Sequence, residues 1–378
     1  MNILQISFHT APMNNLGEND GGGLSVYVEA ISKELAKEHS VHVITGEEAK
    51  NINKKNLKLV SFNLFSNQEN IEEKRKYLDE FIDKTFQYVE ENNIDVVHAH
   101  YWLSGLVAEK LKERYKIPFV FTSHSLGIFV QENNLGRISS EKEIFNVADK
   151  ITASSKFEQD NLSNRYGVNV LKINTVTPGV SEKTFKTYKG GKKKNTILSV
   201  GRIQEQKGQL KILDIFKNLQ YRVKDLELVF VGGPSGVDGE AYLVKIKNKI
   251  EDLKIEEDVH FLGSLSQKKL AKLMRRSKLL VHSAENETFG LVAVEAHRSG
   301  LPVISINQGP FKEIISNNKD GLVVQSFESI QVYDFIIKLF EDSEFESELS
   351  DNAVQNSLSF SWEHTSKALK KIYTDIII

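Results

Sequence analysis

The sequence predicts an α/β protein made of two Rossmann-like domains, each a doubly wound parallel sheet with helices on both faces. Three observations lead there. Short apolar runs alternate with amphipathic stretches from end to end, the pattern of parallel strands covered by helices. At 378 residues the chain is longer than one hydrophobic core usually spans. A polar, glycine-containing stretch, Tyr188-Lys-Gly-Gly-Lys-Lys-Lys194, separates two such alternating series and reads as a solvated linker.

In the first series Ile3–Ile6 is the opening strand. Leu24, Val28, Ile31 and Leu35 then recur at helical spacing, and Val41–Ile44 is the next strand. Further strands are expected at Leu59–Leu64, Val96–His98, Phe119–Thr122, Lys150–Ala153 and Val170–Val176, with Thr177-Pro-Gly-Val180 closing the half. The second series begins at Thr196-Ile-Leu-Ser-Val-Gly201, and its strands continue at Leu226–Val231, Val259–Leu262, Leu279–His282, Pro302–Ile306 and Gly321–Val324. A short helix is expected over Phe289–Ser299, stopped by Gly300 with Pro302 just beyond. Two helices near 329–343 and 346–357 follow, then Trp362 and a last helix to about Tyr373. The domains are therefore set at 1–180 and 190–358, with the helix in 360–378 returning to the first.

Forty per cent hydrophobic and 26 per cent charged residues suit a soluble globular chain. A net charge of −2 provides no global attraction for nucleic acid, and none is expected as a partner. There is no cysteine, which excludes disulfides and thiolate chemistry. The start, Met-Asn-Ile-Leu-Gln-Ile-Ser, leads directly into a strand without the features of a signal peptide, and no apolar run approaches a membrane span. Localisation is expected to be cytoplasmic. Basic residues are not gathered on one amphipathic face, so peripheral membrane contact is not favoured; homodimerisation is left open.

The chemistry-bearing segments fall at expected strand ends, where open α/β sheets bind ligands. Glu287 precedes the Phe289–Ser299 helix and Glu295 lies about two turns inside it. A helix N-terminus suits a phosphate, and carboxylates beside it can accept hydrogen bonds from sugar or ribose hydroxyls. On spacing alone the same residues also read as a surface helix with two ordinary glutamates. Asp20-Gly21-Gly22-Gly23 leads into the first helix and permits close backbone approach, but it is not a GxGxxG fingerprint, and a plain flexible loop is the alternative. Ser199-Val-Gly201-Arg202 and Lys207-Gly208 place two cations around a turn, suited to a diphosphate. His98-Ala-His100-Tyr101-Trp102 and Thr122-Ser-His124-Ser125 end two further strands. Two His at i, i+2 without accompanying carboxylates or cysteines make a weak metal motif, so no metal site is assigned.

The Glu287–Glu295 run, with Phe289-Gly290-Leu291-Val292 between, resembles the signature of the retaining glycosyltransferases of family four. Val200-Gly201-Arg202 followed by Lys207-Gly208 is similar to a second hallmark of that family. Ile6–Pro12, Gly21–Val28 and His98–Gly105 resemble the branch that contains the mycothiol-pathway inositol-phosphate N-acetylglucosaminyltransferases and the sucrose-phosphate synthases. The resemblance implies the GT-B fold, two Rossmann-like domains facing a cleft, with acceptor on the first and nucleotide-sugar donor on the second. It implies that Glu287 meets donor-sugar hydroxyls, that backbone amides over Phe289, Gly290, Leu291 and Val292 hold sugar and diphosphate, and that Glu295 meets the ribose. Arg202 and Lys207 would neutralise the leaving diphosphate, with Gly201, Gly22 and Gly23 close to it, and the backbone ending at Gly263 would read the base. His124 would face the donor sugar. Tyr101, Ser125 and Arg137 would hold the acceptor phosphate, with His9 on the same side. A further family lysine aligns with either Lys74 or Lys76.

By this resemblance catalysis rests on His124, Arg202, Lys207 and Glu287, with a UDP-sugar as co-substrate, no tightly bound cofactor and no requirement for a divalent metal. The expected reaction moves a hexose or N-acetylhexosamine to a small phosphorylated acceptor such as inositol phosphate. Fructose 6-phosphate, or a lipid or glycan, is the alternative acceptor. Leu24-Ser25 stands where the mycothiol-type enzymes have Met-Asn, a departure that bears on the acceptor and not on the donor. A nucleotide-sugar epimerase would need a proton-abstracting constellation that the sequence does not offer, and a two-lobed sugar-nucleotide binding protein would return its ligand unchanged.

Overall fold

Ile3, Leu4 and Ile6 have no exposed surface, nor have Val96, Val97 and Ala99, which lie opposite them in the sheet. Strands buried on both faces need such continuous apolar runs, and parallel sheets supply the setting. The computed structural model describes residues 1–13, 22–130, 135–187, 193–236, 238–306 and 309–377. Its chain divides into two units, Met1–Gly179 with Trp362–Ile378, and Val180–Ser361.

In the first unit the strands are β1 (Asn2–Ile6), β2 (Ser40–Glu47), β3 (Ile52–Lys54), β4 (Leu57–Phe65), β5 (Val96–His100), β6 (Phe119–Thr122), β7 (Lys150–Ala153) and β8 (Ile173–Thr175). Their order is β3-β4-β2-β1-β5-β6-β7-β8, parallel throughout except for the β3–β4 pair. The helix Trp362–Ile377 lies against the helix Gly23–Leu35, with the Trp362 and Tyr27 rings edge to face at 5.7 Å. Tyr373 is fully buried and reaches Gln5 on β1 and His98 on β5.

The second unit contains β9 (Thr196–Val200), β10 (Glu227–Val231), β11 (Val259–Phe261), β12 (Leu279–His282), β13 (Val303–Ile306) and β14 (Gly321–Val324). The order β11-β10-β9-β12-β13-β14 is all parallel, the 3-2-1-4-5-6 arrangement of a Rossmann sheet. Alternate residues feed cores on opposite faces: Ile197, Leu279, Val281 and Ile304 on one, Leu198, Leu280 and Val303 on the other. Each such side chain contributes about 1.5–3 kcal/mol when taken from water. The chain reverses its winding direction at β9, so the C-terminal ends of β9 and β12 form the switch point.

Three expectations shift. The run Val170–Val176 is not one strand: the Asn169 side chain accepts the Leu171 N–H at 3.0 Å, Val170–Lys172 form a 3₁₀ turn, and only Ile173–Thr175 pair in the sheet. Leu57–Phe65 extends further than the expected 59–64, because the edge strand β3 pairs with its start. The helix after Glu287 begins at Leu291 rather than Phe289, since Gly290 adopts φ 89° and Phe289 turns into the core. Among the described residues no helix is long and apolar enough to cross a membrane.

Candidate active site

The end of β9 and the end of β12 are tied together in the second unit. After β9 the chain makes a 3₁₀ turn over Glu205–Lys207 and leaves it through Gly208 at φ 66°. A Cβ at Gly208 would stand 2.5 Å from the Ser283 carbonyl oxygen, so glycine is required there twice over. Ser283 Oγ donates to the Lys207 carbonyl at 2.6 Å, closing the loop onto β12. This geometry carries Lys207 Nζ to the Glu287 carboxylate, to which it donates. Both side chains are about one-fifth exposed. Burial pushes the Glu287 carboxyl up, but Lys207, His282 and Arg202 together bring it below its ordinary value. Arg202 itself is exposed beyond β9.

Gly290 caps the helix Leu291–Arg298, whose first N–H groups have no partner within the helix. Its Cβ, if present, would sit 2.6 Å from the Phe311 ring. Gly290→Ala is therefore expected to destabilise the second unit by about 2–4 kcal/mol, from the left-handed backbone and the overpacking together. A urea melt checks this, and an unchanged midpoint would show that Phe311 yields freely. Glu295 lies inside the helix, 7% exposed, with Gln267 Nε2 at 3.5 Å. Burial pushes its carboxyl up to about 8. Phe289 packs edge to face with Phe360, so its backbone and not its ring is available; Leu291 and Val292 are half-buried. Gly263, at φ 62°, receives the Gly232 N–H on its carbonyl at 2.8 Å at the far side of β9.

In the first unit the ends of β1, β5 and β6 gather the other candidates. Tyr101 holds φ 75° between β5 and the helix Trp102–Tyr115, and its ring lies 4.5 Å from that of His9. The Arg137 guanidinium stands 4.8 Å over the same Tyr101 ring. Arg137 Nε donates to Glu141 at 2.7 Å, and Nη2 donates to the Ser125 carbonyl at 2.8 Å and hydroxyl at 2.9 Å. Arg137, Ser125, Tyr101 and His9 thus form one contiguous group. The two lysines differ in burial. Lys76 is exposed, whereas Lys74 is 5% exposed and donates to the His9 carbonyl at 3.0 Å and to Glu47 at 3.1 Å. Sequence reasoning missed Glu47, and no local signal marks it, since its partner lies 27 residues on.

His124 adopts φ 57°, a strained conformation for a residue with a Cβ. It is held by a buried chain of hydrogen bonds. Gln5 Nε2 donates to the Tyr373 hydroxyl at 3.4 Å, while its Oε1 accepts from His100 Nε2 at 2.6 Å. His100 Nδ1 is then an acceptor and takes the proton of His124 Nε2 at 3.0 Å. Tyr373 in turn donates to His98 Nδ1 at 2.6 Å, and His98 Nε2 donates to Thr122 at 2.7 Å. All four ring nitrogens of His98 and His100 are engaged, and burial holds both rings well below their ordinary pKa. Among the described residues no group of three or more His, Asp or Glu is arranged to hold a metal. Gly22 caps the helix Gly23–Leu35, and a Cβ on Gly23 would meet open space, so the protein's own packing does not demand glycine there. Asp20 and Gly21 lie outside the described residues.

Two Rossmann-like units with strand-end cations and carboxylates are the GT-B architecture of glycosyltransferases. The chain belongs to the glycosyltransferases of family four: residues 21–183 match the family model described as Glycosyltransferase Family 4, and residues 180–356 match Glycosyl transferases group 1. It is similar to the D-inositol 3-phosphate glycosyltransferase of Corynebacterium glutamicum (strain R), 27% identical over 416 residues that cover 100% of this chain and 97% of that one. Its fold is similar to that of sucrose-phosphate synthase from Thermosynechococcus elongatus, with a TM-score of 0.87 at 22% identity over 99% of this chain and 98% of the other. It is likewise similar to Anabaena HepE solved in complex with UDP-glucose, with a TM-score of 0.78 at 19% identity over 99% and 100% of the two chains.

Proposed function

We propose that the protein is a retaining glycosyltransferase that moves a hexose or N-acetylhexosamine from a UDP-sugar to a small phosphorylated polyol, with inositol phosphate as the leading acceptor. The observation that carries the acceptor half is the Arg137 guanidinium, fixed by Glu141 and Ser125 and lying over Tyr101. A planar, pre-oriented guanidinium suits a phosphate, which it can grip with two parallel hydrogen bonds. The full-length similarity to a D-inositol 3-phosphate glycosyltransferase supports the same choice.

On the donor side we assign Glu287 to the sugar hydroxyls, the amides from Phe289 to Val292 to sugar and diphosphate, Glu295 to the ribose, and Arg202 and Lys207 to the leaving diphosphate. In the reaction the bond from the anomeric carbon to the diphosphate oxygen breaks and a bond to the acceptor hydroxyl forms on the same face. The acceptor's proton passes to the departing phosphate. Positive charge already in place where negative charge develops is the principal catalytic device. His124 is kept as a neutral hydrogen-bonding partner of the transferred sugar, since burial holds its pKa low. The reading places the protein in the cytoplasm, where UDP-sugars are at hand.

The test is UDP release from UDP-glucose and UDP-N-acetylglucosamine, with and without D-inositol 3-phosphate, free inositol or fructose 6-phosphate. Release is expected to rise sharply with the inositol phosphate and not with inositol. Arg137→Gln, which keeps a polar contact to Glu141 and Ser125, should raise the KM for the phosphorylated acceptor about 10- to 100-fold and leave acceptor-independent release unchanged. Release that ignores every phosphorylated acceptor would overturn the assignment.

A further inference from the structure

Glu287 has a second neighbour besides Lys207. His282 is the last residue of β12, 6% exposed, with Nε2 3.7 Å from Glu287 Oε1 and its ring 4.6 Å from that of Phe311. An imidazole at the end of an apolar strand is an unfavourable filler unless its nitrogens are used. His282 also lines a small polar cavity together with Ser199, Lys207, Gln209 and Ser283. Two buried atoms of those residues, His282 Nδ1 and Gln209 Oε1, find no hydrogen-bond partner among the described residues. Gln209 is fixed from its other end, where Nε2 donates to the Arg202 carbonyl at 2.9 Å.

Glu287 is an ionised carboxylate that can only accept, so the neutral ring that faces it through Nε2 leaves Nδ1 to accept on the cavity side. The single proton of the neutral ring is then on Nε2, the nitrogen that faces Glu287. Neutrality fits the surroundings, since burial outweighs the pull of Glu287 and Lys207 also opposes a charge. The assignment that follows rests on the proposed transferase reading. There Lys207 must serve the diphosphate and Glu287 the sugar hydroxyls, so the ion pair between them loosens and Glu287 needs another donor. We propose that His282 is a positioning residue for transfer, holding the Glu287 carboxylate through Nε2–H once Lys207 turns to the donor diphosphate.

The experiment compares His282→Leu, His282→Gln and His282→Asn by UDP release kinetics and by UDP affinity. The leucine variant is expected to lose about 10- to 100-fold in kcat, with UDP affinity within about 3-fold of the parent. Glutamine, whose amide N–H reaches toward Glu287, should restore most of the kcat, and the shorter asparagine should not. If the leucine variant fails to fold, the glutamine–asparagine contrast decides. Undiminished kcat in the leucine variant overturns the proposal, as does an equal loss in glutamine and asparagine. A parent protein that neither binds UDP nor releases it takes down the transferase reading itself, an outcome distinct from a parent that turns over while the variants match it.

Discussion

Replacing Glu287 with glutamine is expected to lower kcat for sugar transfer by roughly 10²–10³-fold, the size typical of losing one preorganised electrostatic contact. Glutamine keeps the volume and one acceptor oxygen, so UDP affinity should change by no more than a few-fold and the fold should persist. What disappears is the charge. Burial alone would push the Glu287 carboxyl up, and Lys207, then His282 and Arg202, bring it down again, so the group is ionised at neutral pH. A neutral amide cannot draw sugar hydroxyls as strongly, and it leaves Lys207 without its counterion. The same substitution has a pH signature. A folded pKa below the unfolded value near 4.5 contributes stability that is present above that value and lost as pH falls through the folded one. Acid melts of the parent should therefore contain a limb in that range that Glu287→Gln lacks. A variant with parental kcat would remove Glu287 from the mechanism.

Much of this arrangement was legible because the informative residues are local in sequence. Gly290 between Phe289 and Leu291, and Gly208 after Lys207, mark backbone that must turn sharply at a strand end, and both hold positive φ. The central strands declare themselves through unbroken apolar runs such as Ile197-Leu198 and Leu279-Leu280-Val281. Edge elements do not, since β3 is three residues of which Asn53 and Lys54 are exposed, and Val170 and Leu171 look strand-like yet are exposed. The least legible features are pairings across long stretches of chain. Gln5 meets Tyr373 across 368 positions, Lys207 meets Glu287 across 80, and neither partner carries a sign of the other. Sequence reasoning therefore assigned Lys207 to a diphosphate and Glu287 to a sugar without expecting that, in the structure, they hold each other. His282 escaped for the same reason: one histidine ending an apolar strand looks like core until Glu287 and Phe311 are brought against it.

Nucleotide binding is expected to tighten as pH rises from 6 to 8, and Glu295 is the reason. Its carboxyl, buried and without a cation beside it among the described residues, is pushed up to about 8, so the free protein holds it protonated at neutral pH. Ribose hydroxyls donating to the carboxylate favour the ionised form, so binding should release a proton. Below a pKa near 8, each pH unit is then worth up to about tenfold in affinity. The terminal phosphate of UDP also titrates near pH ~6, and Glu295→Gln separates the two effects by removing only the protein's share. Calorimetry at pH 7 in buffers of different ionisation enthalpy should show proton release by the parent that is reduced in the variant. Equal release by both would mean that Glu295 is not the group that ionises on binding. The stability consequence runs the other way. A folded pKa above the unfolded one gives stability that is complete below about 4.5 and is lost as pH rises through about 8. The unliganded parent should therefore weaken between pH 5 and 8 while Glu295→Gln does not. Bound nucleotide should restore the parent across the same range, because ribose hydroxyls would add to the single long contact from Gln267 that the buried carboxylate has.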